Sequence, residues 1–142
     1  MQTPKQSDDL TQLQELNFFG KHILIADDEP INMMVTTKML TARKATVSKA
    51  TNGYELLQLL HNGLKPDLIL LDIKMPELDG FSTIKKIRQH YPNLVVLAFT
   101  ASFLDEDTEL LLKENGFYGS LSKAFKPGEF YNKIAEVLEA NL

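Results

Sequence analysis

Reactive side chains begin where the apolar runs of this chain stop. Ile23-Leu24-Ile25-Ala26 leads into Asp27-Asp28-Glu29, and Leu68-Ile69-Leu70-Leu71 ends at Asp72. The run from Leu94 to Phe99 ends at Thr100, and the run from Phe117 to Leu121 is followed by Lys123. An Asp after an apolar run is commonly a helix N-cap or a turn residue. Asp27 and Asp28 are adjacent, however, and cannot both cap one helix. If these ends converge, the carboxylates repel: two unit charges 4 Å apart cost about 4 kcal/mol at an effective dielectric of 20. One carboxyl must then hold its proton, or a cation must sit among them. Hard oxygen donors in a chain with no cysteine and only scattered histidines favour Mg2+ or Mn2+ over zinc. Mg2+ held by few carboxylates keeps positions open for a phosphoryl ligand. Lys123 and the Thr100 hydroxyl would complete a phosphoryl cradle. An Asp carboxylate in that cradle can act as nucleophile and form an acyl phosphate.

The elements that must position these groups are legible as an alternation. The runs are apolar at every position, as in strands buried on both faces of a parallel sheet. A weaker run, Ala45-Thr46-Val47, supplies the remaining strand. Helical periods lie between the runs. Ile31 to Arg43 follows Pro30, and Asn52 to His61 is stopped by Gly63. Phe81, Ile84 and Ile87 share one helical face, and Asp105 to Asn115 has acidic residues in its first turn with Leu110 and Leu111 inside. The last helix runs from about Pro127 to Ala140. This is an α/β chain of the (βα)5 type, a doubly wound parallel five-stranded sheet with right-handed crossovers. Its C-terminal strand ends share one edge, where open α/β sheets place their ligands. That edge would gather Asp27, Asp28, Asp72, Thr100 and Lys123.

Composition narrows the function classes. The chain has 142 residues, 44% of them apolar, and a net charge of −4. It is long enough for one core, and a mildly acidic chain is poorly matched to a phosphate backbone, so no nucleic-acid contact is expected. The absence of cysteine excludes disulfides, thiolate zinc sites and cysteine nucleophiles. No apolar run approaches the roughly 18 residues of a membrane span, and the polar start lacks a signal peptide's apolar core. The expectation is a cytoplasmic domain with no membrane insertion. Residues 1–20 read as an N-terminal tail or linker and 21–142 as the domain. In the tail, Leu10, Leu13 and Leu16 recur at threes behind a possible cap at Ser7 or Asp8, and Phe18 and Phe19 are placed to dock on the core.

Four pieces in order, HILIADDEP, LILLDIKMPELDGF, VVLAFTA and GFYGSLSKAF, resemble the response-regulator receiver domains of two-component signalling, over roughly Lys21 to Leu138. Asp72, Met75-Pro76 and Asp79-Gly80 stand at that family's spacing. The resemblance implies a flavodoxin-like sheet of strand order 2-1-3-4-5. It implies Asp72 as phosphoacceptor, with Mg2+ held by Asp28 directly, by Asp27 mainly through water, by Asp72 and by the backbone carbonyl of Lys74. Thr100 would be the switch hydroxyl and Lys123 the ion-pairing lysine. The donor would be a phosphohistidine on a histidine kinase or histidine phosphotransfer protein. The output face would comprise the fourth helix, fifth strand and fifth helix, roughly Asp105 to Leu138. The ADDEPIN stretch resembles receivers fused to histidine kinases, which favours a segment of a hybrid kinase over a stand-alone regulator.

Two positions depart from the family pattern. Ala124 follows the lysine where the family has a cis proline, so the loop either carries strain or turns trans and places Lys123 differently. Ser120 stands where the family often has an aromatic residue that couples to the switch hydroxyl, with Tyr118 on the same strand face as a substitute. Lys74 and Ser102 flank the site and could tune attack of water on the acyl phosphate. Three other classes compete. A Mg2+-dependent aspartyl-phosphate hydrolase needs a second Asp where Lys74 stands. A flavodoxin-like electron carrier needs a small-residue phosphate loop where Asp27-Asp28-Glu29-Pro30 stands. A degenerate receiver would act only as an interaction module. His22, His61 and His90 read as separate surface histidines. Met33, Met34 and Met39 read as core or helix-surface residues, and Asn32 as a first-turn residue that caps or meets solvent.

Overall fold

The computed structural model describes residues 16–101 and 103–142, so Ser7, Asp8, Leu10, Leu13 and Ser102 lie outside the described residues. Strands β1 (His22–Ala26), β2 (Thr46–Ala50), β3 (Leu68–Asp72), β4 (Val96–Thr100) and β5 (Gly119–Ser122) form one sheet in the order β2-β1-β3-β4-β5. Every pairing is parallel. Helices α1 (Pro30–Ala42), α2 (Gly53–His61), α3 (Gly80–His90), α4 (Glu106–Glu114) and α5 (Pro127–Ala140) alternate with the strands.

Alternation along the strands builds two cores. Ile23, Ile25, Leu68, Leu70, Leu97 and Phe99 face one way and pack with Met33 and Leu40 of α1 and Phe130, Ile134 and Val137 of α5. Leu24, Ala26, Ile69, Leu71, Val96 and Ala98 face the other way, against Leu56 and Leu60 of α2, Ile84 and Ile87 of α3, and Leu112 of α4. The central strand β3 is buried at every position, as a strand covered on both faces must be. Phe18 joins the first core and Phe19 stays exposed. No helix among the described residues is long and apolar enough to cross a membrane.

The structure corrects several local expectations. The strand expected over Ala45-Thr46-Val47 runs instead from Thr46 through Ser48 and Lys49 to Ala50. It is an edge strand with one half-exposed face, so polar residues continue it. Leu110 and Leu111, expected inside, are 57% and 49% exposed, while Leu112 is fully buried. Consecutive helical residues are about 100° apart, so a run of leucines cannot all face the sheet. The cap of α1 is Glu29, whose Oε1 accepts from Ile31 N at 3.2 Å, so neither the adjacent Asp pair nor Asn32 caps that helix.

Close approach sets three glycines, Gly53 against the Thr83 hydroxyl among them. At Gly116, where φ is +102°, a Cβ would lie 2.9 Å from Arg88 Cγ. Arg88 donates from Nε and Nη2 to the Gly116 carbonyl at 2.9 and 2.6 Å, which ties the end of α4 to α3. Gly80 matters more for the site. A Cβ there would sit 2.6 Å from the Asp72 carbonyl oxygen and from Ile73 Cα.

Candidate functional site

The C-terminal edge of the sheet collects the strand-end residues. Asp27 follows β1, where its backbone N–H donates to Ala50 O at 3.0 Å and continues the ladder. Its Oδ1 accepts from Glu29 N at 2.9 Å, so the side chain folds onto its own turn and is 1% exposed. Asp28 beside it is exposed. Asp72 closes β3 and is 8% exposed, with Oδ1 accepting from Lys74 N at 3.1 Å. The loop after Asp72 turns back on the strand through Gly80 N donating to Ile73 O at 2.8 Å, which requires the glycine's bare Cα. Asp79 then caps α3 through Ser82 N at 2.8 Å.

Lys123 binds this edge together. Its Nζ lies 2.9 Å from Asp27 Oδ2 and 2.9 Å from Asp72 Oδ2. The loop it stands in holds only trans peptide bonds, as do all the described residues. Lys123 N donates to Thr100 O at 2.6 Å, and Ala124 N donates to Ser122 Oγ at 3.0 Å. Those two bonds hold the turn, so a trans bond before Ala124 still delivers the ammonium to both carboxylates.

The charges do not balance. Carboxylate oxygens of Asp27, Asp28 and Asp72 lie within 4.8 Å of one another around a single lysine. Burial pushes the Asp72 carboxyl above its ordinary range; Lys123 opposes that push and the Asp27 charge adds to it. Burial would lower the Lys123 ammonium, but its contacts with Asp27 and Asp72 outweigh burial and hold it above its ordinary value. Both shifts favour the extra proton, as expected where carboxylates outnumber cations. The close partner of the buried Asp27 Oδ2 is the Lys123 ammonium, which it shares with Asp72. Three carboxylates short of positive charge, all hard oxygen donors, fit a small divalent cation such as Mg2+.

Thr100, at the end of β4, is 8% exposed and pairs in register with Ser122. It lines a cleft of about 280 Å3 with Phe103, Glu109 and Ser120. Ser120 donates to Glu109 Oε1 of α4, a strand-to-helix link that the sequence pattern did not signal. The Lys74 side chain is exposed beside the site.

The family model for the response regulator receiver domain matches residues 23–135. The chain belongs to this family. Its receiver fold is shared with a CheY-like receiver domain protein from Methanospirillum hungatei, 25% identical with a TM-score of 0.76, covering 85% of this chain and 95% of that one. A Pseudomonas aeruginosa sensor histidine kinase has a receiver domain crystallised with a magnesium ion coordinated in its active-site cleft. That domain is 29% identical with a TM-score of 0.74, over 84% of this chain and 98% of that one. Among curated proteins, the Helicobacter pylori sensor histidine kinase CheAY is 32% identical over 117 residues, which is 80% of this chain and 14% of that protein. The Escherichia coli sensor protein TorS is 29% identical over 93 residues, 66% of this chain and 10% of that protein. The receiver thus spans about a tenth to a seventh of the length of these two relatives.

Proposed function

We propose that this receiver domain takes a phosphoryl group from a phosphohistidine of a histidine kinase or phosphotransfer protein onto Asp72, in a Mg2+-dependent reaction. The observation that carries the reading is the oxygen cluster of Asp27, Asp28 and Asp72 under one lysine at the C-terminal sheet edge. Asp27, Asp28, Asp72 and the backbone carbonyl of Lys74 would hold the cation, whose charge offsets that of the incoming phosphoryl oxygens. An Asp72 carboxylate oxygen attacks phosphorus, the P–O bond forms, and the P–N bond to the imidazole breaks, its electron pair leaving on nitrogen. Lys123, already held against Asp72, keeps its ion pair with the product. Phosphorylation adds roughly −1.5 to −2 charge and three strong acceptor oxygens, which recruits the Thr100 hydroxyl. The resulting bias in a two-state equilibrium is read on the face of α4, β5 and α5. We assign the functional unit to residues 21–142.

The test is intact mass after incubation with Mg2+ and acetyl phosphate. One phosphoryl adduct per chain is expected, lost in Asp72→Asn and in EDTA. Rapid consumption of the donor without adduct would revive the hydrolase reading. No adduct and no consumption would leave an interaction module.

A further inference from the structure

Two of the three histidines, far apart in sequence, meet on the surface away from the acidic edge. His61 is the last residue of α2 and His90 the last of α3. Their rings lie 5.8 Å apart between centroids, edge toward face at 72°. Both line a groove of about 380 Å3 between the two helices. Tyr91, the residue after His90, places its hydroxyl 2.8 Å from His61 Nδ1.

We infer that His61 and His90 form a second metal site, a surface chelate for a borderline divalent transition ion such as Zn2+, separate from the oxygen cluster. The donor type selects the ion: imidazole suits Zn2+, Ni2+ and Cu2+ and is a poor ligand for Mg2+. The spacing fits as well. With Zn–N bonds of about 2.0–2.1 Å, two imidazoles on one tetrahedral ion have ring centroids about 5 Å apart. Bringing a nitrogen of each ring onto one ion takes rotation of two side chains that are both exposed. Tyr91 supplies the outer contact. When Nδ1–H of His61 donates to the tyrosine oxygen, the ring is fixed with its lone pair on Nε2, the arrangement that metal-bound histidines use. Both histidines also end helices, where the terminal carbonyls favour a cation. Gln58 and Gln89 line the same groove, and their amide oxygens or water would fill the remaining positions. Lys86, the one lysine or arginine among the described residues lining the groove, opposes the ion; its side chain is exposed and long enough to swing aside.

The experiment is Zn2+ titration of the untagged 142-residue chain by calorimetry in saturating Mg2+, which keeps the oxygen cluster out of competition. One Zn2+ per chain is expected, with affinity at least tenfold weaker in His61→Gln and in His90→Gln and unchanged in His22→Gln. Tyr91→Phe should weaken binding by about tenfold, and Lys86→Ala should tighten it. Long-range nitrogen spectra should show the His61 and His90 rings shifting together. Binding that survives either His61→Gln or His90→Gln undiminished overturns the site. So does the absence of Zn2+ binding up to millimolar ion.

Discussion

The two edges of the sheet carry the same kinds of residue and treat them differently. At the N-terminal edge, Asp67 Oδ2 accepts from His22 N at 2.8 Å, and Asp67 N donates to His22 O at 2.8 Å. His22 Nε2 meets Ser48 Oγ at 2.7 Å. Each group there has a close local partner, and the arrangement ties β1 to its neighbours. At the C-terminal edge, Asp27 and Asp72 are more deeply buried and share one lysine, with Asp28 alongside. A folded chain keeps such a deficit of positive charge when a ligand is to supply the remainder. Completed pairing ties the strands together at one edge, and the charge deficit at the other is what the proposed cation would fill.

Lys123→Ala should break this comparison hardest. Removing the cation leaves two buried carboxylates unpaired, a loss of about 3–5 kcal/mol for a buried pair. Chemical denaturation in EDTA would measure it, and Mg2+ should restore part of the loss. Asp67→Ala should cost less, about 1 kcal/mol for one hydrogen bond at a half-open edge. Its loss should not respond to Mg2+, and its phosphoryl uptake should equal that of the wild type.

Asp72→Asn should move stability the other way. The raised Asp72 carboxyl favours its protonated form in the folded state. The stability it contributes is full below its unfolded value, near 3.8, and is lost as pH rises through the higher folded value. In EDTA at neutral pH the Asn variant should therefore melt above the wild type, and the gap should close as pH falls toward 3.8. A gap independent of pH would remove ionisation as the cause. Smallest of all, Ser48→Ala should cost about 0.5 kcal/mol and leave Mg2+ affinity unchanged.

Much of this was legible in the sequence because local rules agree with the fold. Unbroken apolar runs announced strands covered on both faces, and the helices read as starting at Asn52 and Asp105 start one residue later, with those two residues as their caps. Gly63 and Gly116 end helices at φ of 103° and 102°, where a side chain would be strained. The strand-end carboxylates were visible because adjacent Asp residues have no shared structural use. Other features depend on how elements rotate against each other. Leu112 rather than Leu110 or Leu111 faces the core because α4 turns one narrow stripe to the sheet. The meeting of His61 and His90 follows from the packing of α2 on α3, and single-element patterns do not encode that. Glu29 takes the cap of α1 because Asp27 is already folded onto Glu29 N.

The most direct measurement is a calorimetric Mg2+ titration of the wild type beside Asp27→Asn, Asp72→Asn and Asp67→Asn. One Mg2+ should bind to the wild type and to Asp67→Asn with equal affinity, and binding should collapse in the other two. Equal binding by all four proteins, or none by the wild type, would contradict the reading of the C-terminal edge as a site completed by a cation.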